Sequence, residues 1–510
     1  MKIILSIIIL AAGFYGHAQL KQKAADKLFV NMEYAKCVEM YDELAKKCSA
    51  GKKNADWNNV RKAAEAHYHL FEMNESANYY EKLHNKNMLT EQDRMRYVQS
   101  LRYTEKYGKS HEIARESANL HPTNKFFKRL VDDADKFDNL FADSAFYRLK
   151  KASINSDKGD FGVAYMNNSI VYASKAKNTG FINPTYGWDN AYYLNIMQSS
   201  FGEDSVLQDP EMLKHNFISK AHDGPVSFNK NCTEMVITKN TLGKKNGKEV
   251  IVLSLYFSKL ENGIWSELKP FEFNNTGYNV GHGVLSEDNK KLYFVSDKPG
   301  GFGEADIYVC ERKGLSWGEP KNLGENVNTE RDEMFPFVQD ATLYFASNGH
   351  FGLGGLDVFE TTADGSSTPT NVGYPINTSA DDFGLIFDQS GRIGYLSSNR
   401  GDNIDRIFHV TKRKLNIKLE GVVYEKYATL EPLAEQIVWI KNMTTDKLDS
   451  VFTDGNGAFA SDLKINNDYR IYTAKEEFIL LKELIKTILN YRRVNPIFYM
   501  KNMYLQKMIL

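Results

Sequence analysis

The sequence predicts a multidomain protein of α plus all-β class, with N-terminal helical repeats, a β-propeller of five or six blades and a small, incomplete C-terminal β-sandwich. Three observations predict this order. Apolar residues have helical spacing over residues 20–150, a two-strand pattern repeats through residues 151–414, and alternating strands joined by an Asp-Gly-Asn-Gly turn fill residues 415–477. The chain has 510 residues. Single cores stop growing at roughly 250 to 300 residues, so we expect several domains.

The clearest pattern occurs three times between Gly281 and Val410. In each copy an apolar pair precedes a serine and a turn, and the serines lie 51 residues apart: Ser296, Ser347 and Ser398. A loop then leads to a second strand, which begins at an aspartate: Asp306, Asp357 and Asp405. Self-similarity of roughly 40 to 50 residues with several short strands per unit is typical of propeller blades.

Two earlier stretches copy the same unit, which makes five recognisable units. The first has strands predicted at Asp160–Tyr165, Ile170–Ser174 and Asp189–Leu194, and the second at Gly224–Phe228, Met235–Thr238 and Ile251–Leu255. The units resemble the WD40-like (PD40) propeller repeats of periplasmic proteins.

The recurring polar residues, including Ser174 of the first unit, are interpreted as structural. An active site normally occurs once, whereas these residues occur in every unit. We expect their side chains to hydrogen-bond tight turns and blade loops. Glycines of the same loops lie between two strands instead of opening a helix, which disfavours a phosphate-binding loop: Gly300, Gly301, Gly303, Gly352, Gly354 and Gly355.

Residues 1–18 have the features of a secretory signal peptide. Lys2 supplies the positive start, about ten mainly apolar residues follow, and cleavage is expected after Ala18. The apolar run is shorter than the roughly 20 residues that a bilayer requires. We therefore expect an exported, soluble mature chain without a transmembrane segment.

Residues 20–150 are predicted to form three helical pairs and a capping helix from Lys125 to Leu149. Alanine and aromatic residues stand where paired helices would touch, as in Tyr34–Leu44. Gly108 is expected between the helices of the third pair, and Pro122 after them. The pattern resembles tetratricopeptide (TPR) repeats, which usually present a groove to a partner segment. A plain helical spacer is the alternative.

Residues 415–477 resemble the carboxypeptidase regulatory-like domain, a non-catalytic β-sandwich module. The signature residues are Thr453, Asp454, Gly457 and Phe459. The tail, residues 478–510, contains no glycine and does not continue the pattern. We expect it to be a truncated or frame-shifted end, because a domain that stops within a sheet leaves an unpaired edge. A basic amphipathic helix is the alternative.

The sequence carries no recognisable catalytic, cofactor or metal motif. It contains no P-loop and no His-Glu-x-x-His. His69 and Glu72 have the spacing of two zinc ligands, but chance spacing is favoured because no third ligand is evident. We therefore expect no enzyme activity, no cofactor and no metal site, with a glycosidase propeller as the alternative. A net charge of -1 disfavours nucleic acid as a partner.

The four cysteines are expected to be unpaired. Cys37 and Cys48 are predicted on or near one helix, about 16 Å apart along it, which is too far for a disulfide. Cys232 and Cys310 would meet only if neighbouring blades brought them together. Buried small apolar groups are the favoured interpretation.

The order of signal peptide, TPR-like helices, WD40-like propeller and regulatory-like sandwich resembles an envelope protein family of Gram-negative bacteria. Full-length members usually end in an OmpA-like peptidoglycan-binding domain, and one branch belongs to the type IX secretion apparatus. The resemblance implies a periplasmic scaffold, associated with the outer membrane, whose partners are outer-membrane or periplasmic proteins. This chain lacks the OmpA-like domain, so peptidoglycan is an expected partner only if that domain is restored. A glycan-binding propeller or a glycan or peptide hydrolase is the alternative.

Overall fold

The structure is a computed structural model that describes most of the chain in two compact units. The described residues are 20–49, 56–142, 144–176, 188, 191–217, 222–245, 248–413, 417–424, 431–464, 467–473, 483–486 and 503–509. Unit 1 comprises the described parts of Met1–Leu140 and Leu149–Thr411, and unit 2 those of Phe141–Arg148 and Lys412–Leu510. The predicted signal peptide lies outside the described residues. Within them, no helix has the length and apolar character needed to cross a membrane.

Unit 1 begins with seven α-helices among its described residues, followed by a 3₁₀ helix, Ala134–Phe141, that runs into unit 2. The α-helices are α1 (residues 20–30), α2 (Tyr34–Ser49), α3 (Trp57–His69), α4 (Met73–His84), α5 (Glu91–Tyr103), α6 (Tyr107–Leu120) and α7 (Lys125–Asp132). From α2 onward, each α-helix packs against the next. Buried tyrosines such as Tyr41, Tyr80 and Tyr97 fill the space that small residues such as Ala63 leave between helices.

Side-chain caps explain where several helices begin. Thr90 and Asp93 form a reciprocal capping box at the start of α5, and the side chains of Asp56 and Asn124 accept backbone N–H groups at the starts of α3 and α7. Each cap satisfies N–H groups that have no partner within the helix.

Two details of the helical prediction are wrong. Gly108 lies in the first turn of α6, so the third pair is separated by residues 104–106 instead. The expected helix from Lys125 to Leu149 ends at Asp132 and is succeeded by the 3₁₀ helix and then by strand. From Tyr147 to Lys150 the side chains alternate between half-buried and exposed, which is the period of a strand.

The remainder of unit 1 consists of antiparallel sheets arranged as in a β-propeller. Their strands are β1 (Tyr147–Lys151), β2 (Asp160–Met166), β3 (Ser169–Ser174), β4 (Asn195–Ser200), β5 (Glu211–Met212), β6 (Asp223–Phe228), β7 (Glu234–Lys245), β8 (Lys248–Glu261), β9 (Ile264–Trp265), β10 (Lys269–Pro270), β11 (Val280–Leu285), β12 (Lys291–Ser296), β13 (Asp306–Lys313), β14 (Ser316–Trp317), β15 (Lys321–Asn322), β16 (Glu333–Gln339), β17 (Thr342–Ser347), β18 (Asp357–Thr362), β19 (Thr370–Asn371), β20 (Asp382–Phe387), β21 (Ile393–Ser398) and β22 (Arg406–Lys412).

Within the described residues these strands form five sheets. The first contains β2–β5, the second β6–β10, the third β11–β15, the fourth β16–β19, and the fifth has the order β1-β22-β21-β20. The innermost strands are β2, β6, β11, β16 and β20. Each packs against the innermost strand of the next sheet, and β20 packs against β2, so the sheets surround a central channel.

The ring closes through residues from its two ends. The side-chain oxygen of Asn155 accepts the backbone N–H of Ile407 at 2.7 Å, and its Nδ2 donates to the Ile407 carbonyl at 2.8 Å. The N–H of Ala152 donates to the same carbonyl. The segment before the first sheet thereby secures the last sheet.

The predicted second unit contains the expected three strands, but β7 and β8 form a much longer hairpin, with 12 and 14 residues. In the first sheet the third strand is β4, so the prediction of a strand at Asp189–Leu194 is wrong for its described residues.

Unit 2 contains two further antiparallel sheets. Their strands are β23 (Ile417–Val423), β24 (Ile437–Asn442), β25 (Leu448–Phe452), β26 (Ala458–Leu463), β27 (Asp468–Thr473), β28 (Glu483–Lys486) and β29 (Met503–Ile509). One sheet has the order β26-β23-β29 and the other β25-β24-β27-β28. Leu419, Val438, Phe459 and Ile471 form the buried core of this unit. The described parts of the tail are strands, which contradicts the alternative of a helix there.

Candidate binding site in the central channel

The repeat-motif serines lie at the ends of second strands, where each hydrogen-bonds at least one backbone group. Ser296 donates to the Asn279 carbonyl at 2.6 Å. Ser347 donates to the Glu333 carboxylate at 2.6 Å and accepts the N–H of Gly349.

The other two motif serines also accept backbone N–H groups. Ser174 accepts the N–H of Ala176 at 3.0 Å, and Ser398 accepts the N–H of Arg400 at 3.2 Å. These bonds hold the turns that follow the strands.

Asp306 and Asp357 stand at the start of the third strand of their sheets, opposite the motif serines of the second strand. Asp306 accepts N–H groups of Phe302 and Gly303 and the side-chain amide of Asn322, at 2.6, 3.1 and 2.7 Å. Asp357 accepts the N–H of Gly354, and burial raises its pKa to about 8. Both carboxylates therefore organise the glycine-containing loops.

Asp405 does not occupy the corresponding position. Strand pairing places Ser296 opposite Asp306 and Ser347 opposite Asp357, but Ser398 opposite Arg406. Asp405 precedes the strand, where its carbonyl accepts the N–H of Asp160. The expected equivalence of Asp405 with the other two aspartates is therefore wrong by one residue.

The loop glycines leave space for these carboxylates. A Cβ at Gly301 would lie 2.1 Å from Asp306 Oδ2, and one at Gly352 would lie 1.8 Å from Asp357 Oδ2. Gly303 and Gly354 instead lie against the backbone of the segment that enters the next sheet. The structure thus supports a packing role for these glycines.

A second recurring motif was missed from the sequence. Asn328 and Asn377 each make two hydrogen bonds to the backbone of a third strand, as Asn155 does. The next residue is Thr329 or Thr378. Its N–H and hydroxyl groups donate to the carboxylate of the acid four residues further on. The pattern Asn-[Ser/Thr]-x-x-x-[Asp/Glu] begins at residues 155, 328 and 377 and could have revealed it.

The helices of unit 1 cover one end of the sheets. The guanidinium of Arg102, which is buried, donates to the Gly352 carbonyl. Tyr103 donates to the side-chain oxygen of Asn399 at 3.0 Å, and Arg331 donates to that of Gln99 at 3.1 Å. These contacts join α5 to loops of the fourth and fifth sheets and to the segment that links the third sheet to the fourth.

The opposite end of the channel contains a cavity of about 770 Å³. It is lined by the innermost strands of all five sheets and by the turns that follow them. The wall is mostly apolar and aromatic, and includes Tyr165, Phe228, Phe337 and Tyr395. A volume of this size lies within the range of small-molecule sites, roughly 300 to 1,000 Å³.

Aromatic rings form the floor of this cavity. The rings of His282 and Phe335 are stacked with centroids 4.1 Å apart, and Phe383 lies 4.5 Å from Phe335 on an adjoining strand. Phe161 completes the cluster at 6.0 Å from Phe383. The rings come from four different sheets, so the cluster narrows the channel between the cavity and the helix-covered end.

Two carboxylates line the cavity, Glu287 and Asp388. Asp388 Oδ1 accepts the Ser390 hydroxyl at 2.7 Å and the N–H groups of Arg392 and Ile393, so it is engaged in its own turn. Glu287 is exposed at the mouth.

The sandwich signature residues lie in and beside a turn of unit 2, and two of them hydrogen-bond its backbone. Thr453 accepts the N–H of Gln436 at 2.9 Å, and Asp454 accepts the N–H groups of Asn456 and Ala458 at 2.9 Å. The other two members are Gly457, which has a φ of +70°, and Phe459, which is buried in the core.

The candidate zinc pair of His69 and Glu72 is not brought together in the structure. His69 stacks on Tyr34 at 4.5 Å, whereas Glu72 binds Nδ1 of His67 at 2.5 Å. In the part of the chain that the structure describes, no group of three or more His, Cys, Asp or Glu side chains is placed to hold a metal ion.

Cysteine placement agrees with the prediction where it is described. Cys37 and Cys48 both lie on α2. Cys37, Cys232 and Cys310 are buried free thiols.

Comparisons with known proteins give only weak structural similarity. No protein-family model and no curated protein matches the chain. TolB from Acinetobacter baumannii aligns with a TM-score of 0.29 and 13% identity, over 51% of this chain and 56% of that chain. The GH32 β-fructofuranosidase BmSUC1 of Bombyx mori aligns with a TM-score of 0.31 and 9% identity, over 72% and 94%. RS223-β-xylosidase aligns with a TM-score of 0.34 and 11% identity, over 53% and 96%.

Proposed function

We propose that this chain is a non-catalytic docking protein of the bacterial envelope. In this proposal the helical repeats and a closed, five-bladed propeller act as one body, and an envelope component binds at the open end of the channel. The observation that carries it is the seating of α5 on the sheet loops through the buried Arg102 and the Gly352 carbonyl.

The contacts of α5 determine which surfaces remain for a partner. Arg102 and Gln99 are almost fully buried, and both bind residues of the sheets. Trp188 from the first sheet donates to the His69 carbonyl at 3.1 Å and packs against Tyr34. These contacts place sheet residues against α2, α3 and α5, which leaves the channel mouth and the outer helical faces for partners.

Site-specific photocrosslinking in cells tests this assignment. A photoreactive amino acid replaces Gln389, which is exposed at the cavity mouth, or Gln99, which is buried against Arg331. We expect adducts with an envelope component from position 389 only. Adducts from position 99 alone, or equal yields from both positions, would contradict docking at the open end.

The location is proposed from the sequence. The predicted signal peptide and the order of modules support export to the periplasm and association with outer-membrane or type IX secretion partners. We expect a mature chain that begins at Gln19 in the periplasmic or outer-membrane fraction. A chain retained in the cytoplasm would refute this part.

A hydrolase remains the alternative because two carboxylates line the cavity. Glycoside hydrolysis generally requires an acid paired with a second carboxylate. Asp388 is held by its turn, which leaves Glu287 as the one candidate acid among the described lining residues that is not already engaged. Release of products from envelope glycans that is abolished in Glu287→Gln would favour the hydrolase and overturn the docking proposal.

A further inference from the structure

We propose that the channel cavity binds a neutral, hydroxyl-rich ligand of the sugar class, and that His282 and Tyr395 donate hydrogen bonds to it. The inference rests on the proposed function and extends it, because it names the chemistry that an envelope component presents at the open end.

The first observation is backbone strain at the cavity floor. Each innermost strand has a bulge, and the first bulge residue is glycine in the first and fifth sheets, at Gly162 and Gly384, with φ of +68° and +60°. The third and fourth sheets have His282 and Phe335 there, at +49° and +50°. A bulky residue in this region costs of order 1 to 3 kcal/mol, and such costs cluster at functional sites. This strained backbone conformation directs the stacked rings of His282 and Phe335 into the channel.

The second observation concerns one tyrosine position in three sheets. Tyr293, Tyr344 and Tyr395 each stand three residues before the motif serine. Tyr293 donates to the Ala363 carbonyl at 3.0 Å, and Tyr344 lies opposite Glu360 on the β17–β18 pair and is not among the residues that line the cavity. Tyr395 lines the cavity, and its hydroxyl has no partner among the described residues, although the ring is almost fully buried. Of these three tyrosines, Tyr395 is the one placed to offer its hydroxyl to a ligand in the cavity.

The third observation is the state of the His282 ring. Its Nδ1 accepts the N–H of Phe335 at 3.4 Å, so the hydrogen is on Nε2, which has no partner within the described part of the chain. Burial lowers the pKa of His282 to about 4, so the ring is neutral near pH 7. His282 therefore offers a neutral N–H donor to the cavity.

The charges at the mouth favour an uncharged ligand. Lys230 and Glu287 have opposite charges and stand on turns of neighbouring sheets, and Asp388 is held by its own turn. A site for a phosphate or a carboxylate would need an excess of cationic groups. Aromatic walls with a few placed neutral donors suit the apolar face and hydroxyl groups of a sugar ring.

Calorimetric titration of the full chain tests the proposal. The probes are maltotriose and chitotriose, which are neutral, and trigalacturonate, which is charged. We expect at least one neutral probe to bind with a dissociation constant in the millimolar range or lower, and trigalacturonate to bind at least tenfold more weakly. Tyr395→Phe should weaken binding about three- to tenfold, the size expected for one hydrogen bond. Tyr344→Phe is the matched control and should leave binding unchanged.

His282→Asn provides a second variant, because asparagine tolerates positive φ but removes the ring. We expect at least a tenfold loss of affinity with an unfolding midpoint close to that of the wild type. No binding of either neutral probe at 10 mM, roughly the limit for a useful site, or unchanged binding by both variants, would overturn the sugar assignment. Adducts from position 389 in the crosslinking experiment would then still support docking, so the two failures are distinguishable.

Discussion

Ser398 faces Arg406 across strands β21 and β22, at the position where Ser347 faces Asp357 in the preceding sheet. Arg406 reaches back to Asp402 at 2.8 Å and to the carbonyl of Ser156. The fifth sheet thus uses a cation to bind a loop carboxylate and the segment from β1, whereas the third and fourth sheets use an aspartate to bind loop N–H groups. Arg406 thus replaces the aspartate in the sheet where the ring closes.

The aspartate of the third sheet should contribute strongly to stability. Asp306→Ala removes an acceptor from two N–H groups and from the Asn322 amide, and we expect a loss of about 3 kcal/mol in the free energy of unfolding. Urea denaturation measures it. Asp340→Asn, at an exposed turn, is the control and should change the value by less than about 0.5 kcal/mol. Equal effects would contradict the structural role.

Ring closure should depend on Asn155 more than on its internal counterpart. Asn155→Ala and Asn377→Ala each remove two bonds to a third strand, and each should cost about 2 kcal/mol. Only Asn155 joins residues 252 apart in sequence. We therefore expect Asn155→Ala to accelerate unfolding several-fold more, measured by stopped-flow fluorescence. Equal unfolding rates of the two variants would contradict a special role of ring closure in unfolding.

The packing of α5 against the sheet loops should be weakened without Arg102. Arg102→Ala removes the donor to the Gly352 carbonyl and the contact of the guanidinium with Phe351. It also leaves the Gly352 carbonyl without this donor, so we expect a loss of about 2 kcal/mol. Hydrogen exchange should show reduced protection of α5 and of the Gly352 loop. The exposed Arg115 is the control, and Arg115→Ala should leave protection unchanged.

Stability should fall at alkaline pH because of His67. Burial opposes its charge, but bonds to Asp42 at 2.9 Å and to Glu72 at 2.5 Å outweigh it and raise the pKa to about 9 from 6.5. A raised folded-state pKa stabilises below pH 6.5, and the contribution is lost as pH rises toward 9. The loss is on the order of 3 kcal/mol. His67→Gln should reduce the difference in unfolding free energy between pH 6 and pH 9.5, whereas His111→Gln should not.

Unit 2 should be sensitive to one glycine of its signature. Gly457 has a φ of +70°, and a Cβ there would lie 2.7 Å from the Val423 carbonyl oxygen. Gly457→Ala should therefore destabilise this unit by at least about 2 kcal/mol. Gly455 has open space around it and is the control. Calorimetry that showed equal effects of the two substitutions would refute the geometry.

Local pattern was enough to predict much of the fold. The spacing of Tyr34–Leu44 predicted a helix there, and the repeats around Ser296 and Ser347 predicted paired strands, because these preferences depend on neighbours in sequence. The same locality explains the errors. Nothing local distinguishes Asp405 from Arg406 as the residue opposite Ser398, since strand register depends on packing of the whole sheet.

Periodicity and turn chemistry act over a few residues, and they therefore predicted the helices, the repeating strands and the turn residues. The tertiary structure was needed to show that Arg102 meets Gly352, that His282 stacks on Phe335, and that Tyr395 lines the cavity whereas Tyr293 donates to a backbone carbonyl. The Arg102 bond joins residues 250 apart in sequence. Contacts of that range follow from how sheets and helices pack around one channel, and no short stretch of sequence specifies them.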